Sequence, residues 1–563
     1  MRTSNLQRTA LAVMLALLAG CGHKGDNTAP LAFVPADTPY VFANTESVPD
    51  AALATWRRQM QTAWPLLTET MDHALADIEA KPEAAGAAKV LRAILDEVRD
   101  RNMPELWQQA GFSQQARAAI YGIDLLPVMR LELSDPDAFR AMLARIEQKA
   151  GQSLATSRIG EQEVRTFGSD KAQGMLAIEG RHLVLAFAPG DADEALKRRL
   201  LGLDRPAHAI DPDLLADFNK QRGYLPYGSG WVDTRRVVAL LSDLQGKFAN
   251  VSLESGKPAQ VDTTCREEFD AIAAKAPRLG FGYRKFDGDG MTMHARLDLD
   301  PATAKSLSAL APALPGAASP DALLDFAVAL PVLRARDLLV AQYDAIAKAP
   351  FRCALLASAN EGVAETKAKL SQTIPPPVSD FTGVRVTLGP IAWPAGDAAA
   401  RPDVSGTLLI GSNNPSFMTS LAQLSVPALQ SVKLVADGKP VAIPQGAVPG
   451  LPGDLDLNVA LGAKVLGVAL GKDQLATLSS AVTTTPVAST TLLEMNMRGE
   501  IYTAFGDAIG HFSAALPEDS RKQMETQRKL YALYAQWFKH VEARIALAPE
   551  GIELIESVAL RSP

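Results

Sequence analysis

The sequence predicts an α+β protein: two tandem, duplicated domains of antiparallel sheet with helices on one face, set behind an N-terminal export segment and a flexible tether. Three observations predict it. Short apolar strands come in pairs about glycine turns, as Met175–Ile178 and His182–Phe187 do about Glu179-Gly180-Arg181. Segments of 3.6-residue apolar spacing fall between such hairpins, the pattern of an antiparallel sheet layered with helices. The same order of elements then returns in the second half of a 563-residue chain, which is too long for one core.

Residues 1–20 read as a signal peptide. Arg2 and Arg8 precede an apolar run, Leu11–Leu18, that is too short to span a bilayer comfortably and ends in the small residues Ala19 and Gly20. The ending Leu18-Ala19-Gly20-Cys21 closely resembles the lipobox of bacterial lipoproteins. The resemblance implies cleavage between Gly20 and Cys21, a lipid on the Cys21 thiol, and acylation (a palmitate-type chain) of the new amine. One chain binds a bilayer only marginally, at about 0.8 kcal/mol per buried methylene, whereas three chains hold permanently. In that family an aspartate after the cysteine favours retention in the inner membrane. Gly22 stands there, so the resemblance implies the periplasmic face of the outer membrane, with that of the inner membrane as the alternative. The competing reading makes Cys21 a buried cysteine ending an uncleaved helix.

Residues 21–31 hold this cysteine and a tether. Gly22–Pro30 is polar and rich in Gly and Pro, cannot bury enough apolar surface to fold, and reaches roughly 30 Å when stretched at about 3.4 Å per residue. No later stretch has eighteen uncharged apolar residues, so no spanning helix is expected after the signal.

The first domain covers 32–307. Phe33–Asn44 reads as a strand entered through a proline-bounded turn. Ala51–Ala80 is helical, with Pro65 as a potential kink, and Ala84–Val98 is a second amphipathic helix. Strand Val128–Leu133 leads through Ser134-Asp135-Pro136 into a helix pinned by Phe139; Gly160 turns a hairpin; Met175–Phe187 forms the next one. A helix at Asp191–Leu201, a strand and helix at Ser229–Leu241, a helix at Cys265–Ala274 and a hairpin at Leu279–Leu299 complete it.

The second domain, 321–563, follows an Ala/Pro-rich linker at 308–320 and repeats this order. Thr407–Ile410 leads through Asn413-Asn414-Pro415 to Phe417. Gly438 lies 21 residues beyond Phe417, as Gly160 lies 21 beyond Phe139. A hairpin at Leu455–Leu470, a helix at Lys472–Ala481, a strand and helix at Leu492–Phe505, a helix at Ser520–Val541 and a hairpin at Arg544–Leu560 match the rest. So long a repeat makes two equivalent domains, not a solenoid. The Phe33–Asn44 start and the later hairpins also loosely resemble proteobacterial cell-envelope proteins of unknown function, a likeness that implies no functional residue.

Composition narrows the function classes. The chain is 47% hydrophobic and 21% charged, as globular proteins are. Its formal charge of −7 moves to about −9 once Arg2 and Arg8 leave with the signal, and no Lys/Arg cluster points to nucleic acid or to an anionic lipid surface as a partner. Beyond Cys21 there are two cysteines, Cys265 and Cys353, without a CxxC. In an oxidising compartment they read as a disulfide joining the two domains, with two free buried thiols as the alternative.

Motifs for chemistry are weak. Gly280-Phe281-Gly282 lacks a third glycine and precedes no helix, and no Gly-Lys pair is followed by Ser or Thr, so no nucleotide is expected. Gly228-Ser229-Gly230 is not a nucleophile elbow. Asp287-Gly288-Asp289-Gly290 reads as a solvent-facing turn, not a calcium loop. Met291, Met293 and His294, with Met495 and Met497, could offer thioethers to Cu(I) but read as core packing. Glu267, Glu268, Glu500 and Asp507 read as solvated helix faces. No catalytic residue, metal or cofactor is expected. The first expectation is a non-enzymatic, lipid-anchored envelope protein with a binding, scaffolding or interaction role toward an unknown envelope partner. The second is a carrier of lipid or another hydrophobic ligand, and the third an envelope hydrolase.

Overall fold

A computed structural model describes residues 28–561 apart from 47, 82–84, 100, 102, 113–114, 244–260, 309, 311–312, 394–400, 426–428, 449–454, 473, 487–488 and 514–516. The signal segment 1–20, Cys21 and most of the tether lie outside the described residues. The chain is α+β and divides into two compact units, the first ending at Ala295 and the second beginning at Arg296.

Unit 1 holds, in chain order, β1 (Tyr40–Ala43), α1 (Asp50–Glu79), α2 (Ala85–Val98), α3 (Met103–Gln109), β2 (Ala118–Ile123) and β3 (Leu126–Glu132). There follow α4 (Pro136–Ala150), β4 (Ala155–Ile159), β5 (Gln162–Gly168), β6 (Ala172–Glu179), β7 (His182–Pro189), α5 (Glu194–Leu201) and α6 (Pro212–Arg222). Then come β8 (Ser229–Asp233), α7 (Thr234–Asp243), α8 (Thr263–Ala273), β9 (Arg278–Asp287) and β10 (Gly290–Asp298), whose last residues belong to unit 2. The strands neighbour one another in the order β4-β5-β6-β7-β3-β2-β1-β8-β9, antiparallel throughout, with β10 beside β9.

Local signals explain where these helices begin and end. Asp135, Asp193, Asp211 and Asp262 each accept a backbone N–H at a helix start, and Pro136 and Pro212 occupy the first turn, where the missing N–H costs nothing. α1 runs through Pro65 without ending, and Thr68 Oγ1 donates to the Trp64 and Pro65 carbonyls there. α5 stops at Gly202 in the left-handed region (φ 75°), where a Cβ would also strike the Arg130 guanidinium, so only glycine fits. Burying alternate strand residues builds the core: Val41, Tyr121, Val128, Met175 and Val184 share one cluster with Leu200, Leu201, Leu215 and Phe218 of α5 and α6. A 3₁₀ turn, Pro30–Phe33, packs Leu31 and Phe33 into that cluster, so Pro30 and Leu31, read above as the end of the tether, are already buried. α4 packs Phe139 and Leu143 against Leu133, Ile178 and Leu183.

Unit 2 contains α9 (Pro301–Ser308), β11 (Leu324–Ala329), α10 (Val332–Lys348), α11 (Val363–Leu370), β12 (Phe381–Ala392), β13 (Asp403–Ser412), α12 (Pro415–Ser425) and β14 (Val441–Ala442). It continues with β15 (Leu457–Leu461), β16 (Val465–Leu470), α13 (Leu475–Thr483), β17 (Thr491–Arg498), α14 (Glu500–Ser513), α15 (Glu518–Trp537), β18 (Phe538–Ala548) and β19 (Gly551–Leu560). Its antiparallel order, β14-β15-β16-β13-β12-β11-β17-β18-β19, is that of unit 1 with β4 removed. The stretch 308–320 lies within unit 2, where Leu314 is buried and the Pro315 carbonyl accepts from Arg385.

The duplication holds to the level of register. With Pro136 and Pro415 equivalent, the row Ala43–Ala119–Arg130–Val184–Ala177 corresponds to Ala327–Arg385–Leu409–Gly467–Ala460. Each row carries one buried arginine, displaced by one strand between the copies. The copies differ at Gly438. Gly160 turns β4 into β5, whereas Gly438 (φ 75°) makes a turn with no strand before it and only the two-residue β14 after it. Pro440, which has no N–H to give a ladder, stands in that segment, and Val432 goes into a side cluster with Val459 and Leu466 instead of pairing.

Candidate functional site

Arg130 is the only arginine of the β3 strand, and strand alternation turns it inward with Val128. Its side chain is fully buried. One guanidinium nitrogen donates to Glu179 (2.9 Å) and lies 3.1 Å from His182 Nδ1; the other donates to the Leu201 carbonyl at the end of α5 (2.6 Å). His182 and Arg130 together hold the Glu179 carboxyl below its usual range against the opposing effect of burial.

Phe33 sits over this network. The Arg130 guanidinium carbon lies 3.5 Å from its ring centroid and that of Arg205 lies 3.7 Å away. Two guanidiniums cannot share one face at those distances, so the ring is sandwiched between cations, and His182 meets it edge-on at 5.2 Å. Arg205 belongs to the loop after α5. That loop is tied to the segment following Phe33 by Ala36 N–H to the His208 carbonyl (3.0 Å) and Ile210 N–H to the Val34 carbonyl (2.8 Å).

Between the two segments opens a cleft of about 560 Å³, with Phe33, Pro35 and Ile123 among its apolar walls and Arg199, Arg205 and His208 among its polar ones. Two acids also line it, and both are engaged. Asp204 takes two nitrogens of Arg198 at 2.7–3.1 Å, which hold its carboxyl below the usual range, and Asp37 pairs with Arg236 at 2.5 Å. Arg199 lies 3.7 Å from the Asp124 carboxylate, a distance beyond hydrogen-bond reach. The cleft thus sets apolar side chains beside cationic ones.

The residues singled out in the sequence fall elsewhere. Cys265 and Cys353 are both buried and disulfide-bonded. Gly280-Phe281-Gly282 lies within β9, and Ser229 is buried at the start of β8 with its hydroxyl unpartnered. Asp287 Oδ1 accepts the N–H groups of Asp289 and Gly290 (2.9 and 3.1 Å) and so closes the β9–β10 turn. His294 is buried with Nδ1 2.8 Å from the Tyr224 hydroxyl, while Met291 and Met293 are half-buried. Met495 and Met497 pair across the sheet with Phe326 and Leu324. Among the described residues, no group of three His, Cys, Asp or Glu side chains is placed to hold a metal ion. Glu267 and Asp507 are exposed.

Glu500 differs from that expectation of a free surface acid. Burial opposes its charge, but Arg561 at 2.7 Å, the helix backbone and Arg498 at 3.3 Å outweigh it, and the carboxyl is pulled down to about 2 from 4.5. A depressed carboxyl contributes stability that is complete above its unfolded value and drains as pH falls from about 4.5 toward 2. Unit 2 is expected to lose denaturant resistance as pH falls from about 4.5 toward 2, and Glu500→Gln to lessen that loss; an identical pH profile in the variant would refute it.

Sequence reasoning missed Arg130, Phe33, Arg199 and Arg205. The signal available was an arginine at an inward position of the alternating Val128–Leu133 strand, which by itself says only that a partner must exist. No protein-family model, curated protein or solved structure matches the chain.

Proposed function

We propose that the chain is a lipid-anchored cell-envelope protein with a non-enzymatic binding, scaffolding or interaction role in the periplasm, using the cleft of unit 1 as a ligand site. One observation carries this reading: Leu18-Ala19-Gly20-Cys21 closes a charged-then-apolar leader in the manner of a lipobox. The Cys265 and Cys353 disulfide supports it, since such bonds persist in oxidising compartments. The Gly22 position favours the outer membrane over the inner. Carriage of a hydrophobic ligand is the second reading, favoured by the size and apolar walls of the cleft.

The test is Cys21→Ser. The wild-type chain is expected to show the mass of residues 21–563 plus acyl groups and to fractionate with outer membranes. The variant is expected to lack the acyl mass and to retain its leader. A variant unchanged in mass and equally membrane-bound would overturn the anchor.

A further inference from the structure

We infer that the sheet of unit 2 seats an acyl chain of a membrane phospholipid along the face opposite Arg385, an inference that rests on the hydrophobic-carrier reading. An antiparallel sheet face left to water carries polar residues. This one does not. Register aligns Val468, Leu408, Val386, Phe326, Met495 and Ala543 in one row across β16, β13, β12, β11, β17 and β18. The row beside it, from Leu466 through Ile410 and Val384 to Leu493, is apolar as well. On the other face Arg385, Asp325 and Leu409 are buried, whereas Val386 and Leu408 stand 38% exposed and Phe326, Met495 and Ile410 half-buried. Two parts of the face are roofed. Met418 of α12 shares a cluster with Leu466 and Val468, and Ile501 and Tyr502 of α14 share another with Leu324 and Met497. Between these roofs the floor is open at Val386 and Leu408.

Unit 1 preserves the pattern. In equivalent register Phe42, Ile120, Met129 and Leu185 take the places of Phe326, Val386, Leu408 and Val468, and they too are half-buried. An apolar row retained in both copies, although the buried arginine behind it moved by a strand, points to a ligand and not to leftover core. Dimension and chemistry select the occupant. Six strands about 4.8 Å apart make a row of about 24 Å. That exceeds the span of an acyl chain in one leaflet, about 15 Å or half the hydrocarbon thickness. No side chain of the row can ionise or donate, so the surface complements an uncharged chain, whereas a protein partner would call for about one hydrogen bond per 100–200 Å². The anchor proposed at Cys21 keeps phospholipids at hand, and the headgroup stays in water.

Cells producing the full chain are supplied with a long-chain fatty acid bearing a terminal diazirine, which enters their phospholipids. After irradiation of the envelopes the protein is isolated, and peptide mass spectrometry gives the mass and position of each adduct. An adduct of phospholipid mass is expected on β12 or β13. Leu408→Trp, which fills the floor without adding charge, is expected to lower its yield about tenfold, in line with the cost of overpacking, and Val386→Trp to do the same. Leu475→Asp is expected to change nothing, since that exposed leucine belongs to α13, which packs on Leu409 at the Arg385 face. Both tryptophan variants are expected to keep the wild-type urea midpoint, because each side chain stands outside the buried core. No adduct on unit 2, or a yield undiminished in both tryptophan variants, would overturn the site. An adduct with the mass of the free fatty acid, or one tied to the Cys21 peptide, would overturn the phospholipid as its occupant. Adducts confined to unit 1 would leave the carrier reading standing without this site, whereas none beyond Cys21 would remove both.

Discussion

Arg385→Met is expected to destabilise unit 2 by about 3–5 kcal/mol, the usual cost of breaking a buried ion pair from one side. Arg385 is 2% exposed on β12, and one of its nitrogens reaches both oxygens of Asp325, which is wholly buried on β11, at 2.7 and 2.9 Å. It also donates to the Pro315 carbonyl (2.8 Å) and to Glu494 on β17 (2.5 Å). Burial pushes the Asp325 carboxyl above its usual value even against the pull of the Ser319 N–H and of Arg385, so the acid depends on its partners. Without the arginine, a carboxylate is left in the core and the Pro315 segment comes loose. Unit 1 shows an uncharged alternative, since its register puts Val41 where unit 2 has Asp325. The double variant Arg385→Met with Asp325→Val is therefore expected to be markedly more stable than Arg385→Met alone. Urea unfolding followed by circular dichroism measures all three proteins. A single variant within about 1 kcal/mol of wild type would show that the pair carries no such burden.

Loss of the disulfide ranks second. Cys265 and Cys353 close a loop of nearly ninety residues, and chain entropy assigns such a closure roughly 4–5 kcal/mol. Cys265→Ala with Cys353→Ala is expected to lower the urea midpoint accordingly, and a reductant to shift the wild type to the same midpoint without affecting the variant. A wild-type midpoint indifferent to reductant, or thiol labelling of both residues in unreduced protein, would contradict this.

Much of the fold was legible because its signals are local. Asp135-Pro136, Gly160, the Glu179-Gly180-Arg181 turn and the Asp287–Gly290 turn each fix backbone geometry within four residues, and each stands where periodicity and turn chemistry put it. Even the repeat could be read this way, since both copies spell the same order of turns. The Gly438 hairpin could not, because a strand also needs a donor-bearing neighbour and Val432 found a better place in an apolar cluster. The cleft was illegible for a different reason. It joins Phe33, Ile123 and Arg205, which are far apart in the chain, and the buried Arg130 beneath it looks the same in sequence whether its partner is a carboxylate, a ring or a carbonyl.

The one-strand displacement of the buried arginine also bears on how a duplicated chain avoids confusing its halves. Nearly equal strands invite exchange while the chain is still assembling, β11 taking the place of β1 beside β2. That exchange would put Asp325 against Tyr121 and leave it without Arg385, while Arg385 would face Val41 and Ala43 with no acid to meet. Each mistaken pairing strands a charge in hydrocarbon, so the errant intermediate is penalised before it can mature. Twin halves with displaced charges can thus be told apart by their own interiors.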